Sequence, residues 1–473
     1  MRQEEDLLGA RELDDTAYYG INTLRAVENF NLTGRRVNIE LIKAIAQIKQ
    51  AAIITNYGIN NISEDKKEVI LKVCQEILTG KFDEQFILDA LQGGAGTSTN
   101  MMVNEVIANR AIELLGGQKG DYSVIHPNED INMSQSTNDI YPTAVRIAAL
   151  KLLVPLSEEV AKLQEELQVK EREFANYLKL GRTQLQDAVP ITLGQEFSAY
   201  AETISRDRWR LFKVAERLKQ VNLGGTAVGT GLNAPRKYIF KVVKELRNIT
   251  GLNLAHAENM IDNTQNLDVF VEVSGLLKAL AVNLNKIAND LRLLSSGPRG
   301  GIAEIKLPKV QVGSSIMPGK VNPVIPEAIN QLAFLVISND QAITLAAQSG
   351  QLELNVMIPL LADKLLESLT VLKRGVKIFR ERCIEGIEAN KERCEELLED
   401  SLGLLTALNP YLGYELTTEI AKDVLNKGKK VRESILDRGI FSEEELNQIL
   451  SPSQMTHPGI AAEKLYNTLK ARK

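Results

Sequence analysis

Cysteine and histidine are both scarce in this chain, three of each among 473 residues. Cys74, Cys383 and Cys394 are odd in number and lack metal-type spacing, so they predict reduced thiols in a cytoplasmic protein rather than a disulfide framework. His126, His256 and His457 lie far apart and form no H-x-x-x-H pair, which leaves a metal-dependent mechanism little support and puts no residue forward as a metal ligand. Basic blocks are missing too. With a net charge of −5 and a pI near 5.6, neither nucleic acid nor an anionic membrane is an expected partner. No apolar run approaches the ~18 residues of a membrane span, and the acidic start Met1-Arg2-Gln3-Glu4-Glu5-Asp6 does not read as a secretory signal. Internal repeats and low-complexity tracts are absent as well.

What is there belongs to a soluble globular protein: 44% hydrophobic and 25% charged residues, in a chain too long for one ordinary core. Leu277, Leu280, Leu284, Ile287, Leu291 and Leu294 alternate three and four residues apart, the spacing of a coiled-coil-like seam. Leu156, Val160, Leu163 and Leu167 repeat it, with Pro155 expected to kink that helix near its start. So do Leu365, Leu369, Leu372, Val376 and Phe379. Long helices with such seams must bury them against one another, which predicts a mainly α protein with a central bundle. Ala281, Val282 and Ala288 widen the apolar surface of the Leu277–Leu294 segment, predicting packing on more than one side and a subunit interface. Composition shifts at both ends predict three domains: residues 1–139, a central bundle over 140–391, and 392–473. Ser63 and Asp83 are expected helix N-caps, and Ser442 with Glu445 a capping box.

Four polar segments carry the chemistry. In Gly313-Ser314-Ser315-Ile316-Met317-Pro318-Gly319-Lys320-Val321-Asn322-Pro323, hydroxyls, backbone N–H groups and one ammonium converge on a short loop, the equipment for stabilising negative charge. It is no phosphate loop: five residues separate its glycines and Val321 follows the lysine. Nor is a strand–turn–helix G-x-S-x-G elbow visible. Gly93-Gly94-Ala95-Gly96-Thr97-Ser98-Thr99-Asn100 enters a helix expected from about Met101, and its N–H groups either receive an anion or serve as an ordinary cap. Ser134-Gln135-Ser136-Thr137-Asn138-Asp139 has the same two readings. Gly181-Arg182-Thr183-Gln184-Leu185-Gln186-Asp187 reads as a polar turn joining two long helices.

Together these segments resemble the aspartase/fumarase superfamily over essentially the whole chain. The 313–323 loop is its long and specific signature, and the other segments match the remaining site regions in the same order. Asp6-Leu7-Leu8-Gly9, Ala17-Tyr18-Tyr19-Gly20, Thr23-Leu24-Arg25-Ala26-Val27-Glu28-Asn29-Phe30, Gly181 to Pro190, and Gly350-Gln351-Leu352-Glu353-Leu354-Asn355-Val356-Met357 are similar to the ammonia-lyase branch. Class II fumarases depart at several of these places.

The resemblance implies a homotetramer with pooled central helices, active sites shared between three subunits, and reversible loss of ammonia from L-aspartate to give fumarate. The Cβ proton is barely acidic, so the carbanion must spread into the adjacent carboxylate as a doubly charged aci-form. By resemblance, Ser314 is the general base; Thr97, Ser136, Thr137 and Ser315 surround the β-carboxylate; Thr183, Lys320 and Asn322 hold the α-carboxylate; Asn138 meets the amino group. No cofactor is implied, and activation by divalent metal is left open. Two positions depart from the common pattern. Gln184 stands where many members carry histidine, and an amide cannot shuttle a proton, so substrate contact is its implied role. Asn100-Met101-Met102 replaces Asn-Met-Asn, removing one amide near the first site region. His126 falls in a segment similar to a secondary anion site of fumarases and is expected to be structural. The alternatives are fumarate hydration, with malate as substrate, and a non-catalytic helical protein like the superfamily's lens relatives.

Overall fold

A computed structural model describes residues 1–471, with a helix content of 62% and few strands. The described chain divides into two compact units, neither of them a continuous stretch of sequence. One comprises Met1–Glu158, Trp209–Ala281 and Ala333–Lys373; the other comprises Glu159–Arg208, Val282–Leu332 and the chain from Arg374. Five long helices, Thr137–Glu173, Leu193–Arg217, Asp268–Leu294, Val324–Gln348 and Ile358–Arg382, each contribute a part to both units. Every leucine, isoleucine, valine and phenylalanine of the three predicted seams is buried. At roughly 1.5–3 kcal/mol per buried large apolar side chain, these stripes dominate the stabilisation of the helices that carry them. Beside the Leu277–Leu294 seam, Ala281 and Ala288 are also buried, whereas Val282 is 48% exposed.

The helix carrying the Leu156–Leu167 seam starts at Thr137, so Pro155 lies in its middle and Pro142 near its first turns. Proline has no N–H to give the carbonyl four residues back. At Pro142 that carbonyl is Asn138 O, and it accepts instead from Asn222 Nδ2 at 3.0 Å. This helix is long and apolar enough to pass a membrane-span test by composition, but 78% of the relevant window is buried inside the protein. Burial of that kind marks a core helix.

In the first unit, helix Ile39–Tyr57 packs on Glu64–Leu78 and Arg236–Thr250. Glu105, fully buried on helix Thr97–Leu114, accepts from the N–H groups of Gly20, Asn22 and Thr23, and so caps helix Ile21–Asn29 from outside. Two of the sequence segments quoted above meet here: Arg25 forms a fork onto both oxygens of Asp6, at 2.8 and 2.7 Å, and reaches Gly9 O. Ser63 occupies the N-cap of Glu64–Leu78 without a side-chain cap bond. Asp83 is not an N-cap; Phe82 takes that position and Asp83 opens a single 3₁₀ turn.

In the second unit, short C-terminal helices enclose Leu404, Leu408, Ile420, Val431, Ile435, Leu446 and Ile449 together with Leu180. Ser442 and Glu445 form the expected capping box. The segment read as an inter-helix turn is instead an antiparallel hairpin, Leu178–Thr183 with Gln186–Thr192, bulged between Leu180 and Arg182. Gln184 and Leu185 make its two-residue turn, both left-handed at φ 54° and 61°. That geometry ordinarily selects asparagine or glycine, so the sequence carried no turn signal.

Candidate functional site

Gly94, Ala95 and Gly96 follow one another at positive φ and feed directly into helix Thr97–Leu114, four residues earlier than the start near Met101. A Cβ on Gly96 would sit 2.2–2.6 Å from the Tyr141 ring, so the chain can pass there only without a side chain. Thr97 is exposed at the first helical position. Asn100, one turn on, points inward: its Nδ2 donates to Asn132 Oδ1 at 3.0 Å and to Thr137 Oγ1 at 3.3 Å. Met102 is wholly buried, so the position where an amide was missed belongs to the core.

The start of the next helix is built by two acidic and hydroxyl side chains acting reciprocally. Ser136 Oγ accepts from Asn138 N at 3.3 Å, while Asp139 Oδ1 accepts from Ser136 N at 3.0 Å. Asp139 thus fills the role glutamate usually takes in a capping box. Its other oxygen accepts from Gly224 N and Thr226 N, tying the 136–139 turn to the glycine-rich segment after Asn222. Burial pushes the Asp139 carboxyl up to about 6, against the pull of these N–H groups and of the Lys49 ammonium. Lys49 is itself buried, its Nζ 2.9 Å from Asn132 Oδ1 and 2.8 Å from Gln135 Oε1, and burial pushes it down to about 7. A cleft of about 570 Å³ opens over this turn, lined by Asn132, Ser134, Ser136, Thr226 and Asn233 among others. Beside it, His126 Nδ1 accepts from Asn128 N and Glu129 N and so caps the short π-helical turn Pro127–Ile131.

Asn138 donates through Nδ2 to Ala227 O at 2.7 Å, which turns its Oδ1 away as a free acceptor. The Ser136 and Thr137 hydroxyl oxygens each accept from an N–H, leaving their own protons to donate elsewhere. One turn therefore offers two hydroxyl donors and one amide acceptor.

In the second unit the 313–322 loop is closed on itself. Gly313 N donates to Lys320 O at 3.0 Å, and Asn322 Nδ2 donates to Gly313 O at 2.7 Å. A Cβ on Gly313 would meet Asn322 N at 2.6 Å. Inside the loop, Ser314 Oγ accepts from Met317 N at 3.0 Å and from Ile316 N at 3.3 Å. Ser315 and Lys320 are exposed, and the Lys320 ammonium makes no ion pair among the described residues. Thr183 and Gln184 stand exposed at the hairpin tip. Beneath them Glu304, with no exposed side-chain area, lies 2.8 Å from Arg182 Nη1 and 3.0 Å from Lys179 Nζ. Burial raises the carboxyl of Glu196, the second acid beside Lys179.

The ten sequence candidates thus fall into three groups: Thr97, Ser136, Thr137 and Asn138 in the first unit, and in the second Thr183 with Gln184 on the hairpin and Ser314, Ser315, Lys320 and Asn322 on the loop. Sequence reasoning passed over Lys49, Asn132, Asp139 and Glu304. For Lys49 a signal existed: a lysine in the apolar run of helix Ile39–Tyr57. Among the described residues no group of three or more His, Cys, Asp or Glu side chains could hold a metal ion.

Comparison with known proteins gives a concordant result. The Lyase family profile matches residues 9–338 and the Fumarase C C-terminus profile matches residues 404–457. An aspartate ammonia-lyase of Pseudomonas aeruginosa is 54% identical over 97% of both chains. The crystal structure of a fumarate lyase:delta crystallin from Brucella melitensis, bound to cobalt, superposes with TM-score 0.94 at 50% identity, over 97% of this chain and all of that one. A class II fumarase from Schistosoma mansoni superposes with TM-score 0.91 at 34% identity, over 97% and 99%. The chain belongs to the aspartase/fumarase superfamily of lyases.

Proposed function

We propose that this protein is an aspartate ammonia-lyase, catalysing the reversible deamination of L-aspartate to fumarate and ammonia. The observation that carries the reaction type is Ser314 Oγ under two backbone N–H groups. A serine hydroxyl is ordinarily too weak an acid to act as a base. Two donors aimed at its oxygen, with the Lys320 ammonium on the same loop, favour the alkoxide.

Ser314 takes the Cβ proton, and the electron pair left behind spreads into the β-carboxylate. Enzymatic acceleration demands at least about 8 kcal/mol, and one aimed donor supplies ~3–4. Two or three donors are the minimum; Thr97, Ser136, Thr137 and Ser315 provide them. Thr183, Lys320 and Asn322 hold the α-carboxylate, Asn322 with the second proton of the Nδ2 that pins Gly313. Asn138 Oδ1 accepts from the substrate ammonium. The pair then returns to form the carbon–carbon double bond as the carbon–nitrogen bond breaks, its electrons leaving on nitrogen.

That last step separates ammonia loss from water loss. A protonated amine departs as neutral ammonia without help and collects the proton shed by Ser314 through solvent. Hydroxide from malate needs a proton donor as it leaves, and the Gln184 amide cannot be one. The 54% identity to an aspartate ammonia-lyase, against 34% to a class II fumarase, supports the same choice.

The proposal includes a cytoplasmic homotetramer with each site drawn from three subunits and no required cofactor. Exposed Phe334, Leu335, Ile337 and Leu345 on helix Val324–Gln348 support association through the long helices; sedimentation as a monomer would contradict it. The test of the reaction is fumarate's ultraviolet absorbance with L-aspartate or L-malate supplied separately. Turnover of aspartate with malate inert is expected; faster turnover of malate overturns the assignment.

A further inference from the structure

An ammonium has only protons to offer, so a side-chain amide that faces one must present its oxygen. Lys49 Nζ faces two, Asn132 Oδ1 at 2.9 Å and Gln135 Oε1 at 2.8 Å. This decides the direction of everything bonded to Asn132. Asn100 must then turn its Nδ2 toward Asn132 Oδ1, at 3.0 Å, and the same nitrogen reaches Thr137 Oγ1 at 3.3 Å. Asn104 Nδ2 is drawn to the same oxygen at 3.3 Å. With its oxygen occupied as an acceptor, Thr137 has its proton free.

The direction is imposed at a local cost. Asn100 Oδ1 and Asn104 Oδ1 are both buried and have no donor. Rotating the Asn100 amide by half a turn would give its oxygen the Thr137 hydroxyl and relieve its share of that cost. The polarity at Asn132, set by the buried ammonium and by a longer 3.3 Å bond from Asn132 Nδ2 to Gln135 O, holds the chain as it is. Asp139, whose field acts on Lys49, helps keep the ammonium charged.

We propose that Lys49 is a positioning residue that orients the Asn132–Asn100–Thr137 chain, so that Thr137 presents its hydroxyl proton rather than a lone pair to a substrate carboxylate. This rests on the reading of Thr137 as a carboxylate contact. Lys49 itself touches no substrate; it acts through three side chains in series. Without it Asn132 is held only by the 3.3 Å bond from its Nδ2 to Gln135 O, so it and Asn100 can turn over, Thr137 donates inward to Asn100 Oδ1, and oxygen lone pairs confront the carboxylate.

The test is a double-mutant cycle on binding of succinate, a four-carbon diacid that cannot lose ammonia, read by calorimetry on the assembled enzyme. Lys49→Met and Thr137→Val are each expected to weaken succinate about tenfold, the worth of one hydrogen bond to a charged group. The double variant is expected to bind no more weakly than Thr137→Val alone. A lysine that merely stabilised the turn would disturb Ser136 and Asn138 as well, and its loss would weaken binding further in the Thr137→Val background. That additive result overturns the proposal, as does unchanged affinity in Lys49→Met. If Lys49→Met does not assemble, Asn132→Leu removes the middle link, leaving Lys49 on Gln135 and Asn100 free to turn over, and the same weakening and non-additivity are required of it. Unchanged affinity in Thr137→Val alone instead overturns the carboxylate assignment, and the proposal falls with it.

Discussion

Alanine at Gly96 strikes the start of helix Thr97–Leu114 in two separable ways. The backbone there has φ +88°, a left-handed conformation that costs a residue with a Cβ roughly 1–2 kcal/mol. The new methyl would also lie 2.2 Å from one carbon of the Tyr141 ring, which is 1% exposed and cannot swing into solvent. Overpacking of a closed core site adds about 1–3 kcal/mol. Gly34 separates the two effects, because its φ is +67° and nothing lies within 4 Å of its would-be Cβ. Gly34→Ala should therefore lose only the backbone share, about 1 kcal/mol, and Gly96→Ala about 2–5 kcal/mol. Urea unfolding at one fixed protein concentration compares the two, with aspartate turnover measured alongside. Gly96→Ala should also lose activity at temperatures where it remains folded, since Thr97 must shift to relieve the contact. Equal destabilisation of the two variants would refute the argument from close approach.

Glu304→Gln should cost about 1–3 kcal/mol, because it leaves the partly buried Arg182 without its acid and Lys179 with Glu196 alone. Hydrogen exchange of the Leu178–Thr183 strand amides should speed up accordingly, and the KM for aspartate should rise through Thr183; unchanged strand protection contradicts the assignment. Glu76 is held down to about 2, first by the Arg110 guanidinium and then by Lys81, although burial opposes both. Its folded carboxyl is thus more acidic than its unfolded one, so its stabilisation is complete above about pH 4.5 and is lost as pH falls toward 2. With the side chain 17% exposed, solvent screening holds the effect to about 1–2 kcal/mol. The stability difference between wild type and Glu76→Gln should shrink across that window, and a difference constant with pH would contradict it.

The seams were legible in sequence because their periodicity coincides with burial: every position of the three seams lies inside, and only Val282, named beside one of them, is exposed. The capping box at Ser442 was legible because both of its partners are local. The hairpin was not, since Gln184 and Leu185 carry no turn signature and the strands are anchored by Glu304, more than a hundred residues away. Helix Thr137–Glu173 runs through Pro142 for a similar reason, a carbonyl satisfied by the distant Asn222. Of the site, the residues that point outward could be named from their motifs. Of those that orient them, Lys49 showed only as a charge in an apolar run, while Asn132 and the second oxygen of Asp139 meet partners far along the chain.

The central claim is that a serine on the 313–323 loop removes a proton from L-aspartate. Replacing Ser314 with alanine and following fumarate formation from L-aspartate tests it directly. The account predicts a fall in kcat of about 10²–10⁴-fold, the usual share of a general base, with succinate affinity and assembly retained. Wild-type turnover in that variant would contradict it.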